Sequence, residues 1–199
     1  MAVTRMSSGQ QNPRNRDKSV RGLDLEELGK TIQLLYDAFY TVDSIGGSLS
    51  PFVPTQEYIV DYVVLLVETF LETVERLRKS PAVFYEPGCG TATITSRVAS
   101  LGRYAICLEL DPDLARMARD NTRSLLVDVV QGDLSVFRPR RASVAYAYLL
   151  PRAVLRLLEA LEGLGTIVLS LDYPAEGDRG YLALTELRVM HRGIYVYKT

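Results

Sequence analysis

The sequence predicts an α/β fold: a seven-stranded, mostly parallel sheet with one antiparallel strand, helices on both faces and extra N-terminal helices. Three observations predict it. From residue 82 onward, short apolar runs alternate with amphipathic stretches, the pattern of strands joined by crossover helices. A glycine turn follows the first of these runs and opens a helix. Two final apolar runs flank His191-Arg192-Gly193 and read as closing antiparallel strands.

The elements follow in order. Residues 1–22 hold Arg5, Arg14, Arg16, Lys18 and Arg21 against Asp17, a net of +4, with almost no apolar periodicity. They read as a disordered basic tail, with a nucleic-acid arm as the sharper reading. Residues 23–199 form the remaining domain, with N-terminal helices over 23–79 and a core over 82–199. Leu28, Ile32, Leu35 and Phe39 make one apolar stripe, so 23–42 is predicted helical. Pro51 and Pro54 force an extended segment, and Thr55 is placed to cap a second helix over 56–79. Asp61, Glu68, Glu72, Glu75 and Lys79 form its predicted wet face.

Strands are expected at 82–85, 104–110, 126–130, 143–150 and 165–171, and the closing pair at 181–190 and 194–197. Helices are expected at 91–100, 112–122 and 152–161, the second opened by Pro112 at its first position.

The composition excludes little. With 47% hydrophobic residues the chain is globular, and a net charge of -1 argues against a wholly basic nucleic-acid binder. The longest apolar run in the 56–79 helix, Tyr62 to Val67, falls far short of the roughly 20 residues of a membrane span, and residues 1–22 lack a signal-peptide core. Two cysteines cannot build a disulfide framework; they point to a reducing compartment and a cytoplasmic location.

Chemistry concentrates at Glu86-Pro87-Gly88-Cys89-Gly90. Glycines let a ligand approach the backbone, and the helix N-terminus behind them offers N–H groups. Glu109 ends the second strand 19 residues after Gly90, where an acid binds both ribose hydroxyls. A nicotinamide cofactor would want a third Gly near Ala92 or Thr93 and no anion at Glu86 beside a pyrophosphate. S-adenosylmethionine (SAM) carries an ammonium, a sulfonium and no phosphate, so Glu86 favours SAM. Asp133, just after the third strand, is placed to accept from an adenine amino group, although taken alone an ordinary Asp in a turn is the better reading. Three acids at three consecutive strand ends strengthen the cofactor reading.

The fourth strand ends Ala147-Tyr148-Leu149-Leu150-Pro151, the position that faces the transferable methyl in SAM-dependent enzymes that such a fold resembles. The Asn/Asp-Pro-Pro-Tyr signature of base-amine and glutamine methylation is missing. Tyr148 offers an aromatic face and a hydroxyl, and core packing explains it equally well. Cys89 reads as a small buried residue of the cofactor-binding turn rather than a nucleophile, and His191, the single histidine, as a hairpin-turn residue. No Cys/His spacing suggests a metal. Arg138-Pro139-Arg140-Arg141 precedes the fourth strand, which puts it at the edge opposite the cofactor.

Phe52-Val53-Pro54-Thr55, the Glu86-to-Gly90 turn with Glu109 and Asp133, Ala147-Tyr148-Leu149-Leu150 and Ile194-Tyr195-Val196-Tyr197 together resemble the Rossmann-like, class I SAM-dependent methyltransferases. Within these they most resemble the small archaeal protein lysine methyltransferases and their mitochondrial relatives, over roughly residues 50–199. The resemblance implies Glu86, Gly88 and Gly90 around the methionine part of SAM, Glu109 on the ribose, Asp133 near the adenine and Thr55 closing over the cofactor. It implies methyl transfer to lysine side chains of proteins, with S-adenosylhomocysteine as product, no metal, and Tyr148 orienting the amine. Gln56, where the family often has Pro, and Pro151, where a polar residue is common, depart from it. The rival expectations are an RNA methyltransferase, using the basic tail as its arm, and a SAM-binding protein without transferase activity.

Overall fold

The computed structural model describes residues 53–176 and 180–199. The basic tail, the 23–42 helix and Phe52 lie outside the described residues. From Pro51 onward the chain forms one compact unit.

Helix α1 runs Glu57–Arg78. Ile59, Val60, Val63, Val67, Leu71 and Val74 recur at helical spacing and are buried, so one stripe anchors it to the sheet. Its first residue follows Gln56, and no side chain caps it. Thr55 is therefore not the cap the sequence predicts: its Oγ1 instead lies 2.9 Å from the Tyr146 hydroxyl. The helix stops at Lys79, which takes a left-handed conformation (φ 53°) before Pro81. The predicted wet face is also corrected. Glu68 and Glu75 are half-buried and share the Arg103 guanidinium, which ties α1 to the residue preceding the second strand.

Seven strands form one sheet: β1 Val83–Pro87, β2 Tyr104–Glu109, β3 Val127–Gln131, β4 Val144–Ala147, β5 Ile167–Leu171, β6 Thr185–Val189 and β7 Arg192–Lys198. Their order is β3-β2-β1-β4-β5-β7-β6. The first five are parallel, and β7 runs antiparallel to both β5 and β6. Three further helices connect them: α2 Thr93–Ser100, α3 Pro112–Asn121 and α4 Pro151–Ala160. The predicted class, with helices on both faces and one reversed strand, is the observed one.

Alternation along the central strands builds two cores. Phe84, Val144, Tyr146 and Leu169 point to the face covered by α1 and α2. Tyr85, Ala145, Ala147 and Val168 point to the face covered by Val154, Leu157 and Leu158 of α4. Neighbouring residues of β1 and β4 are thus fully buried on opposite sides, which is why these runs carry no polar alternation.

Several boundaries move. Strand β4 stops at Ala147, not residue 150, because Pro151 starts α4 at its first turn and the chain must turn before it. Tyr148 therefore lies beyond the ladder. Strand β6 is shorter than 181–190. Strand β7 begins at Arg192, so the reversal falls on Met190-His191, with Met190 at φ 56°.

Candidate active site

Because β1 to β5 are parallel, their carboxyl ends share one edge of the sheet. Glu86, Glu109 and Asp133 lie at or just past three of those ends, as the sequence reading places them. Strand β7 runs the other way, so its first residue, Arg192, reaches the same edge.

The glycine turn is held tightly. The Leu108 carbonyl accepts from the N–H groups of Gly88 (2.7 Å) and Cys89 (3.2 Å). The Gly90 N–H donates to Glu109 Oε2 at 2.7 Å, while Glu109 Oε1 accepts from Asp111 N at 2.9 Å. Gly88 (φ 67°) and Gly90 (φ 56°) occupy left-handed conformations that suit glycine. A Cβ on Gly88 would come within 2.7 Å of Leu149 Cδ2. Ala92 takes the same conformation (φ 63°) at the entry to α2, close to where a dinucleotide turn would carry its third glycine.

Glu86 is 6% exposed. Its Oε2 accepts from the Thr95 N–H at 2.9 Å and from the Thr95 hydroxyl. Burial pushes its carboxyl up to about 8 against the pull of Thr95, with the Glu109 charge adding to the rise. A cleft runs from Glu86, Gly88 and Cys89 past Thr91, Thr93 and Ile94 to Tyr148, with Val53, Pro54 and Thr55 along its other side. Thr55 and Tyr148 are 93 positions apart and meet here. A buried acid beside a turn whose glycines take left-handed conformations suits a cationic, phosphate-free ligand approaching the backbone, so these residues fit SAM. Among the described residues, no group of three or more His, Cys, Asp or Glu side chains could hold a metal ion.

Asp133 does not line this cleft. It is exposed, and its Oδ1 accepts from Ser135 N at 2.7 Å in a local turn. Cys89 is buried, as expected, and it is also disulfide-bonded to Cys107 across a Cα–Cα distance of 5.6 Å. The expectation that the two cysteines leave no disulfide fails because Cys107 lies in β2 directly beside the turn, paired in register with Glu86.

The Tyr148 end of the cleft adjoins residues the sequence reading missed. The Arg192 guanidinium donates to Tyr148 Oη (3.0 Å), Gln56 Oε1 (2.7 Å), Tyr58 Oη (3.3 Å) and Asp172 Oδ2, the last through Nε at 2.6 Å and through a second nitrogen. These five hydrogen bonds match the five N–H donors of an arginine. Its carbon Cζ sits 5.4 Å from the Tyr148 ring centroid, and Tyr173 stacks on that ring at 6.1 Å and 19°. Asp172 is in the left-handed region (φ 62°), which brings its carboxylate under the guanidinium. His191 reaches this cluster, with Nε2 3.1 Å from the Tyr58 hydroxyl. The signal available in the sequence is an Arg at the start of the reversed strand, whose first residue must fall at the site edge.

The basic run lies elsewhere. Arg140 and Arg141 line a groove with Pro81, Ala82, Val83 and Tyr104, at the amino ends of β1 and β2, the edge opposite the cofactor cleft.

This geometry matches solved structures. An RNA methyltransferase from Salinibacter ruber, solved with S-adenosyl-L-homocysteine, superposes at a TM-score of 0.60 with 29% identity, over 73% of this chain and 93% of that one. The chain has the fold of the class I SAM-dependent methyltransferases. A putative RNA methyltransferase from Pyrococcus horikoshii (TM-score 0.56, 16% identity, 82% and 97% covered) shares it. So does the rRNA methyltransferase aviRa from Streptomyces viridochromogenes (0.56, 12%, 76% and 88%). No family model and no curated protein matches the sequence. Among the described residues, no helix is long and apolar enough to cross a membrane.

Proposed function

We propose that this protein is a SAM-dependent methyltransferase acting on lysine side chains of proteins. In this reading Glu86 takes the ammonium of the cofactor, Gly88 and Gly90 admit its methionine part, Glu109 takes the ribose and Thr55 covers it. Asp133, at the end of β3, is assigned to the adenine. SAM supplies a methyl on a sulfonium, already a good leaving group, so the protein has mainly to align the acceptor.

The observation that carries the lysine reading is the charge of the site edge. Glu109, Asp111 and Asp133 gather at the carboxyl ends, which suits a basic peptide and repels a phosphate backbone. Arg192 offers that backbone nothing, because its hydrogen bonds are made inside the protein. Arg140 and Arg141 face the opposite edge. A lysine amine must be neutral to attack. A low-dielectric cleft beside a sulfonium lowers its pKa, so water can take the proton. The amine lone pair then forms the N–C bond as the C–S bond breaks and leaves its electron pair on sulfur.

A second reading, RNA methylation, is favoured by the description of the Salinibacter ruber neighbour. It would rely on the basic residues of 1–22 for phosphate contacts. Incubation with methyl-labelled SAM and either total protein or total RNA separates the two. Label on lysines after protein hydrolysis is the expected result. Label on RNA with unlabelled protein would overturn it, and cofactor binding without any labelling would leave a non-catalytic SAM binder.

A further inference from the structure

We infer that Arg192 is the positioning residue of the methyl acceptor: it fixes the Tyr148 hydroxyl at the mouth of the cleft and acts on the reaction through it. The inference rests on the proposed methyl transfer to lysine. Three observations carry it.

First, Tyr148 lies beyond the last residue of β4, so no strand ladder holds it. Among the described residues its hydroxyl is hydrogen-bonded to Arg192, and its ring is neighboured by that guanidinium (5.4 Å) and by Tyr173 (6.1 Å). Second, Arg192 is itself immobilised. It is 8% exposed, and its bonds to Gln56 and Tyr58 at the start of α1 and to Asp172 after β5 leave it one position. The bidentate grip of Asp172 neutralises its charge locally, so the guanidinium serves as a fixed donor rather than as an anion site. Third, Arg192 touches the acceptor side and does not line the cofactor cleft, whereas Tyr148 does.

With Arg192 donating to Tyr148 Oη, the phenol oxygen keeps one lone pair to accept from the incoming amine. An amine N–H directed to that oxygen leaves the nitrogen lone pair free to face the methyl. A displacement of this oxygen costs alignment, which acts on the rate of transfer rather than on cofactor affinity.

The test is a double-mutant cycle on the full chain, with methyl-labelled SAM and a total protein extract as probe, plus S-adenosylhomocysteine binding by calorimetry. Arg192→Lys keeps a cation but loses the planar fork. Arg192→Lys and Tyr148→Phe are each expected to lower the initial labelling rate at saturating SAM by about tenfold or more. The double variant is expected to fall no further than Tyr148→Phe alone, within about twofold. Homocysteine-product affinity should stay within about twofold of wild type in both single variants. Asp172→Asn, which tolerates the same left-handed backbone, removes the counter-charge and should reproduce the rate loss at unchanged affinity. Multiplicative losses in the double variant would overturn the assignment. So would losses of rate and product affinity that move in parallel, which would indicate a merely structural role. A wild-type protein that binds the product but labels no lysine would instead overturn the proposed function, and this assignment with it.

Discussion

The Gly90 N–H donates to Glu109 Oε2 at 2.7 Å, so the glycine turn after β1 and the acid that ends β2 form one hydrogen-bonded unit. A ligand that bonds Glu109 therefore meets a turn already in place. Glu109→Ala removes both the proposed ribose contact and this tether. Its affinity for S-adenosylhomocysteine should fall by about tenfold or more, a charged hydrogen bond being worth roughly 1.5–3 kcal/mol. Calorimetry checks it, and an unchanged affinity would remove Glu109 from the site.

Gly88→Ala should be worse tolerated than any conservative change in the cleft. The new Cβ would lie 2.7 Å from Leu149 Cδ2, and the φ of 67° costs a non-glycine residue roughly 1–2 kcal/mol. Loss of product binding with a lowered Tm is expected. A variant that binds as wild type does would mean the turn can relax.

Glu86 makes the protein pH-sensitive. Its ordinary value is 4.5 and burial pushes it up to about 8, so the folded state holds a proton that the unfolded chain has released in this window. That contribution to stability is complete below pH 4.5 and is lost as the pH rises toward 8. Glu86→Gln, which stays neutral, should raise the Tm of the ligand-free protein more at pH 8.5 than at pH 5. An equal difference at both pH values would contradict this.

The Cys89–Cys107 bond encloses a sequence separation of 18 residues. A loop of that size stabilises by on the order of 3 kcal/mol through the unfolded chain. Alkylation of the unreduced, denatured protein should add no label, and after reduction two. Cys107→Ser should lower the Tm in non-reducing buffer and abolish its dependence on reductant. Two alkylated thiols before reduction would show that the bond does not form in solution.

Arg140 and Arg141 discriminate the two substrate readings. Replacing both with Glu, at the edge opposite the cleft, should leave protein labelling within about twofold, since surface charges far from a site act weakly. A loss of labelling would place a substrate contact on that groove.

The sequence by itself determined the layered α/β architecture and the carboxylates of the cofactor edge. Fully apolar runs such as Val83–Tyr85 and Val144–Ala147 have one stable home, the middle of a covered parallel sheet. In such a sheet every βα turn must emerge on one edge, so Glu86, Glu109 and Asp133 could be placed together from their positions after strands alone. What tertiary structure decided were contacts between residues distant in sequence. Cys89 meets Cys107 only through the register that pairs Glu86 with Cys107. Thr55 meets Tyr146 across 91 positions, which turns an expected helix cap into a wall of the cleft. Arg192, legible only as a turn residue, becomes the hydrogen-bonding hub beside Tyr148 because β7 runs opposite to its neighbour β5 and starts where the parallel strands end. Periodicity encodes which face a residue takes, whereas strand direction and register arise only when the whole sheet is assembled.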